Sequence, residues 1–186
     1  MPQSRRYKKK KSAGKAILAW IIVLAILAAA VFVFVSVFYE DTKKKLDEMN
    51  YPRTYSTYVE KAAKDYDLDP ALIYAVIHTE SGFDPKAESG VGAKGVMQMM
   101  PSSFEWLQEQ RGCAGQYTED DLFDPEICID YGSYLLKYFY DYYGTERSAI
   151  AAYNAGFVVS DWLNDTNYSS DGKNLDSIPY PETENY

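Results

Sequence analysis

A single histidine and two cysteines among 186 residues leave little from which to build a metal centre, and no cluster of ligating side chains makes up for them. The acidic residues do not supply one either. Asp120, Asp121 and Asp124 crowd a short stretch but lack the EF-hand spacing, with its central glycine and terminal glutamate. A solvated loop from Gln116 to Asp124 is the expectation. Basic charge is scarce outside one place. Seven of the 19 Lys and Arg (Arg5, Arg6, Lys8, Lys9, Lys10, Lys11 and Lys15) fall in the first fifteen positions, where there is no acid. The rest of the chain therefore sets 12 basic residues against 27 acidic ones, a net of −15. So acidic a body excludes nucleic acid as a partner. No internal repeat occurs.

Charge of either sign is missing from Ala16 to Tyr39, a run of 24 positions. As a helix it spans about 36 Å, enough to cross a hydrocarbon core with some tilt. A cleaved signal peptide has an apolar core of only about 7–15 residues, and no small-residue cleavage site follows Tyr39. An uncleaved membrane anchor is the expectation. The Lys/Arg excess on its N-terminal side places residues 1–15 in the cytoplasm as a basic tail and everything after Tyr39 outside. Such a tail also suits anionic lipid, although a topology signal is the simpler account.

Residues 40–54, with Lys43-Lys44-Lys45 and alternating charge, read as a helical stalk ended by Pro52. Residues 55–186 form the exported domain. Both cysteines, Cys113 and Cys128, fall in it. In an oxidising compartment they are candidates for a disulfide closing a loop of about 16 residues, worth roughly 3 kcal/mol. Free, half-buried thiols are the alternative.

The domain reads as a series of helices. Thr57-x-x-Glu60 has the capping-box pattern, followed by Val59, Ala62, Ala63 and Tyr66 at helical spacing. Asp69-Pro70 supplies an N-cap and first-turn proline for an apolar helix through Ser81. Pro101 opens another, through Phe104, Trp106 and Leu107, that ends before Gly112. Asp124-Pro125 starts the longest, to about Tyr143, with a stripe of Ile127, Tyr131, Tyr134, Leu135, Tyr138, Phe139 and Tyr142 that predicts core packing. Gly144 stops it, Thr145 caps the next helix, Glu146 to Ala155, and Gly156 stops that one. Beyond Trp162 the chain turns polar.

The stretch from His78 to Pro101 reads as a site. Glu80 lies in the last turn of the apolar helix, at the negative end of its dipole, and desolvation acts in the same direction. Both favour the protonated form that a general acid needs near neutral pH. A solvated carboxylate at a helix end is the plainer alternative. Gly90, Gly92 and Gly95 follow, then Val96-Met97-Gln98-Met99-Met100. Glycine density of this kind lets backbone approach a ligand closely. Gln98 offers both donor and acceptor among thioethers, which suits a sugar with hydroxyl edges and an apolar face. At least one of the methionines is expected in the core.

Glu80-Ser81, the Ser89-x-x-Gly92-Ala93-x-Gly95-x-Met97-Gln98 segment and Ala152-Tyr153-Asn154-Ala155-Gly156 resemble the signature blocks of the soluble-lytic-transglycosylase family. The likeness runs from about Tyr55 to Tyr186, and several blocks in order are far more specific than Glu-Ser alone. It implies an all-α, lysozyme-like fold and cleavage of the glycan strands of peptidoglycan. Most glycosidases use two carboxyl groups. In this family one suffices. The acid protonates the oxygen bridging N-acetylmuramic acid and N-acetylglucosamine, then takes a proton from the muramic acid C6 hydroxyl, closing a 1,6-anhydro ring without water.

The resemblance makes Glu80 that acid and then base, with Tyr153 hydrogen-bonded to it. Ser89, Met97, Gln98, Met100 and Asn154 would hold the sugar. Ile178-Pro179-x-x-Glu182-Thr183 resembles the family's closing block, in which the glutamate lines the cleft. A further helix is expected where the sequence stops at Tyr186. No cofactor or metal is called for. The expected partners are glycan strands and the membrane, with wall, secretion or conjugation proteins as further candidates. Two competing readings stand. One is a lysozyme-type hydrolase using water and a second carboxylate such as Glu182 or Glu88. The other is an inactive wall-binding module that keeps the groove.

Overall fold

The structure is a computed structural model that describes residues 7–50 and 54–186, in two units divided near residue 52. Arg5 and Arg6 of the basic tail, and Pro52, expected to end the stalk, lie outside the described residues.

In the first unit one helix, α1 (Tyr7–Asn50), runs without interruption from the basic stretch through the apolar run into the charged stretch. Its uncharged segment, Ala16–Tyr39, has a mean hydropathy of 3.2 and is long and apolar enough to cross a membrane. The apolar side chains point outward, Phe32 being 73% exposed. The segment's serine is satisfied within the helix. Ser36 Oγ donates to the Phe32 carbonyl at 2.9 Å, and just beyond the segment Thr42 Oγ1 donates to that of Phe38 at 2.8 Å. Such back-bonding is what an environment without water requires.

The second unit is built of helices, and its described residues contain no strand. They are α2 (Ser56–Tyr66), α3 (Pro70–Ser81), α4 (Pro101–Gln110), α5 (Pro125–Tyr143), α6 (Glu146–Ala155), α7 (Val159–Asn164) and α8 (Pro181–Glu184). The expected punctuation is largely realised. The Asp69 side chain accepts from Ala71 N, Asp124 from Glu126 N and Thr145 from Ser148 N. Gly82 and Gly144 end α3 and α5 in the left-handed region, where a glycine carries no Cβ penalty. The capping box at Thr57 and Glu60 is not formed. α2 starts two residues early, after Tyr55 in a left-handed conformation with no side-chain cap.

The core gathers around α5, which packs against α2, α4 and α6, with α3 set against α2. Ile73, Ile77, Leu107, Ile129 and Leu136 are fully buried there. The stretch expected as a loop, Gln116 to Asp124, departs from expectation. Residues Glu119–Phe123 form a turn of 3-10 helix, closed by a reciprocal cap between Thr118 and Asp121. Leu122 explains it: the side chain is completely buried, which contributes about 2 kcal/mol and draws the acidic segment onto the domain.

Nor is there a disulfide. Cys113 and Cys128 are both free. Each sulfur is committed elsewhere, Cys113 Sγ lying 3.3 Å from the Tyr131 hydroxyl and Cys128 Sγ accepting from Met97 N at 3.4 Å. Cys128 is buried under the glycine loop, and burial pushes its thiol up to about 12.

Candidate active site

The site forms where the C-terminal end of α3 meets the glycine loop and the closing segment. Ser81 ties the first two together, donating from Oγ to the Val96 carbonyl at 2.8 Å. Ser89 and Ala93 then close the loop on itself, Ser89 N donating to the Ala93 carbonyl and Ala93 N to Ser89 Oγ, both at 2.9 Å. Gly95 is required by sterics. Its φ is +76°, and a Cβ there would lie 2.0 Å from the Leu122 carbonyl oxygen. The loop is therefore pressed directly onto the 3-10 turn. Lys94 locks the same seam. Its mostly buried amine pairs with Glu119 at 3.2 Å and Asp120 at 3.3 Å and lies over the Phe123 ring.

A groove of about 260 Å³ opens beside this loop, lined among others by Glu80, Ser89, Gln98, Met100, Tyr153, Asn154 and Glu182. The first blocks and the closing block, far apart in sequence, thus share one cavity. Of the two candidates for a second carboxylate, Glu182 lines the groove and Glu88 does not.

Glu80 is half-buried. Burial raises its carboxyl above the ordinary range, the Tyr186 hydrogen bond pulls it back, and the charge of Glu182 pushes it up again. The net direction is upward, toward the protonated form at neutral pH. The hydroxyl on Glu80 belongs to Tyr186, which donates to Oε1 at 2.7 Å. Tyr153, expected in that role, donates instead to the Met97 carbonyl at 2.9 Å. Burial, then the nearby Tyr186 and Glu80, raise the Tyr153 phenol well above its usual value, so it stays a neutral donor.

Two other expected sugar contacts have different duties. Met97 is fully buried, and a Cβ on Gly132 of α5 would lie 2.6 Å from its sulfur, so this methionine packs against the helix backbone. Gln98, at φ 46°, spends its amide hydrogens on the carbonyls of Ala87 and Gly95 at 3.1 and 3.0 Å. It braces the loop, leaving its carbonyl oxygen for the groove. Ser89 and Asn154 likewise accept from within the protein, Asn154 taking the Thr183 hydroxyl at 2.7 Å. That bond carries the closing segment onto α6. Met100 is 39% exposed and keeps its expected place on the groove wall. Tyr186 is the residue sequence reading missed. Nothing in its neighbours signals a partner so distant in the chain.

A family model described as the transglycosylase SLT domain matches residues 57–175. The chain belongs to that family. It is 32% identical over 142 residues to the soluble lytic murein transglycosylase of Escherichia coli (strain K12), an alignment covering 75% of this chain and 22% of that protein. To the membrane-bound lytic murein transglycosylase C of Actinobacillus succinogenes it is 35% identical over 113 residues, 56% of this chain and 32% of the relative. The crystal structure of an inactive mutant of lytic transglycosylase Slt from Pseudomonas aeruginosa superposes with a TM-score of 0.65 at 30% identity, covering 75% of this chain and 23% of that one. The chain thus spans under a third of the length of the two relatives. The fold of the second unit is the all-α, lysozyme-like fold of these SLT neighbours.

Proposed function

We propose that this chain is a membrane-anchored lytic transglycosylase. It cleaves the β-1,4 bond between N-acetylmuramic acid and N-acetylglucosamine in peptidoglycan strands and leaves 1,6-anhydromuramic acid ends. One observation carries the reading: Glu80, its protonation favoured by burial, faces a groove that also holds Ser89, Gln98 and Asn154. The protonated carboxyl donates to the bridging oxygen as the bond breaks. The resulting carboxylate, held by the Tyr186 hydroxyl, then takes the proton from the sugar's own C6 hydroxyl as that oxygen closes on C1. Tyr153 and Gln98 hold the loop in register, while Met100 offers the sugar an apolar contact.

The uncharged segment of α1 and the membrane-bound naming of one set of relatives support membrane association. Lysines before the segment and none within it support a cytoplasmic N-terminus with the domain on the wall side. Other wall, secretion or conjugation proteins are the partners such an arrangement would serve.

A lysozyme-type hydrolase is the second reading, favoured by the one observation that Glu182 shares the groove with Glu80. Mass spectrometry of peptidoglycan digested by the full chain in detergent micelles separates the two. Anhydro ends, absent with Glu80→Gln, support the transglycosylase; reducing ends that vanish with Glu182→Gln support the hydrolase. No digestion at all points to an inactive wall-binding module.

A further inference from the structure

Beyond the groove lies a group of aromatic rings that neither the fold nor the cleavage step uses in full. Ser103 of α4 and Leu135 of α5 line the groove. Residues three further on share a helix face, so Trp106 and Tyr138 continue that wall by one turn. Their rings meet edge to face, with centroids 5.0 Å apart. Phe157, on the turn just past Asn154, closes against both, 6.4 Å from Trp106 and 6.3 Å from Tyr138. Tyr142 stacks on Tyr138 at 6.3 Å. These rings are not sealed in. Phe157 is 50% exposed and Tyr142 59%, whereas nearby Phe139 is buried at 4%.

We propose that this aromatic platform is an additional saccharide subsite, holding a pyranose of the glycan strand beyond the residues that flank the scissile bond. The inference rests on the proposed function. Three features select a sugar as occupant. Trp106, Tyr138 and Phe157 each lie three residues beyond a groove-lining residue, Ser103, Leu135 and Asn154 in turn, and their rings meet one another. Rings present faces and edges of about the size of a pyranose, whose axial C–H groups form an apolar face. And Tyr138 carries a hydroxyl able to donate to and accept from a sugar. A strand occupying the groove and continuing past Ser103 would meet these rings next.

The test compares the affinities of full chain in detergent micelles for N-acetylglucosamine hexasaccharide and trisaccharide, by calorimetry in a Glu80→Gln background. The longer sugar reaches the platform and should bind tighter. In the Tyr142→Ala, Phe157→Ala double variant the hexasaccharide-over-trisaccharide preference should fall at least fivefold. Both side chains are largely exposed, and an unchanged melting curve checks that the fold survives. Tyr142→Phe, which keeps the ring, should retain the preference. A preference unaltered by the double variant overturns the platform. So does quenching of Trp106 by brominated lipid in nanodiscs, with Trp20→Phe and Trp162→Phe removing the other indoles, which would assign the rings to the bilayer. A wild-type chain that releases anhydro-muropeptides yet shows no length preference overturns the platform alone. A chain that neither acts on peptidoglycan nor binds either sugar overturns the function as well.

Discussion

The Tyr186 hydroxyl donates to Glu80 Oε1 at 2.7 Å, joining the closing segment to the C-terminal turn of α3. Burial and Glu80 together raise the Tyr186 phenol far above its usual range, so it serves only as a neutral donor. It stabilises the carboxylate over the acid and opposes the desolvation of Glu80. Removing it in Tyr186→Phe raises the Glu80 pKa further. The acid must be protonated to begin cleavage, so the alkaline limb of the pH–rate profile moves to higher pH. Loss of a hydrogen bond to a charged group, about 1.5–3 kcal/mol, cuts the rate by roughly 10- to 100-fold. A profile that neither shifts nor falls would show that the contact is idle.

Glu80→Gln separates chemistry from stability. A lost general acid and base costs at least about 10²–10⁴ in rate, and release of muropeptides measures it. The stability effect has the opposite sign. A carboxyl whose folded pKa lies above its unfolded value destabilises the fold when ionised. That cost is full above the raised folded pKa and gone below the unfolded value of about 4.3. The amide carries no such cost and still accepts from Tyr186. The variant should therefore melt higher than wild type at pH 7, and the gap should close as pH falls toward about 4. Equal melting temperatures at both pH values would contradict the burial of Glu80.

Helix ends were the most legible part of this chain, because Asp69-Pro70, Asp124-Pro125, Gly82 and Gly144 act on the backbone within a turn of themselves. Tertiary demands were not. The 3-10 turn at Glu119–Phe123 depends on Leu122 reaching a place in the core, and no local pattern encodes that place. Within the site, motif resemblance brings Glu80, Ser89, Asn154 and Glu182 to one cleft, and all four line one groove. The partners do not follow from it, since a motif fixes which residues gather and not which hydroxyl faces which carboxyl. The motif pairs Tyr153 with Glu80, whereas Tyr186, to which it assigns no part, makes that bond and Tyr153 donates to Met97.

The cysteines give a direct chemical check. Cys128 is buried with its thiol pushed up to about 12, whereas Cys113 is partly exposed. Thiolate is the reactive form, so at pH 7.5 a disulfide-exchange reagent should titrate one thiol in the folded chain and two after denaturation. Titration of none in denaturant without reductant would mean that a bridge forms after all.

Gly92 and Gly95 test how the loop is held. Both have positive φ, +89° and +76°, so alanine at either meets the same backbone penalty of about 1–2 kcal/mol. Their surroundings differ. A Cβ on Gly92 meets open space, whereas one on Gly95 would lie 2.0 Å from the Leu122 carbonyl oxygen and 2.9 Å from the Cys128 sulfur. Relief requires the loop to lift from the 3-10 turn, parting Lys94 from Glu119 and Asp120 and shifting the backbone that carries Gln98. Overpacking of this kind adds about 1–3 kcal/mol. Urea unfolding should therefore place Gly95→Ala about 1–3 kcal/mol below Gly92→Ala, with cleavage lost in the first and largely kept in the second. Equal losses would mean that the loop is not seated on the Leu122 backbone, and the groove geometry built on that seat would have to be redrawn.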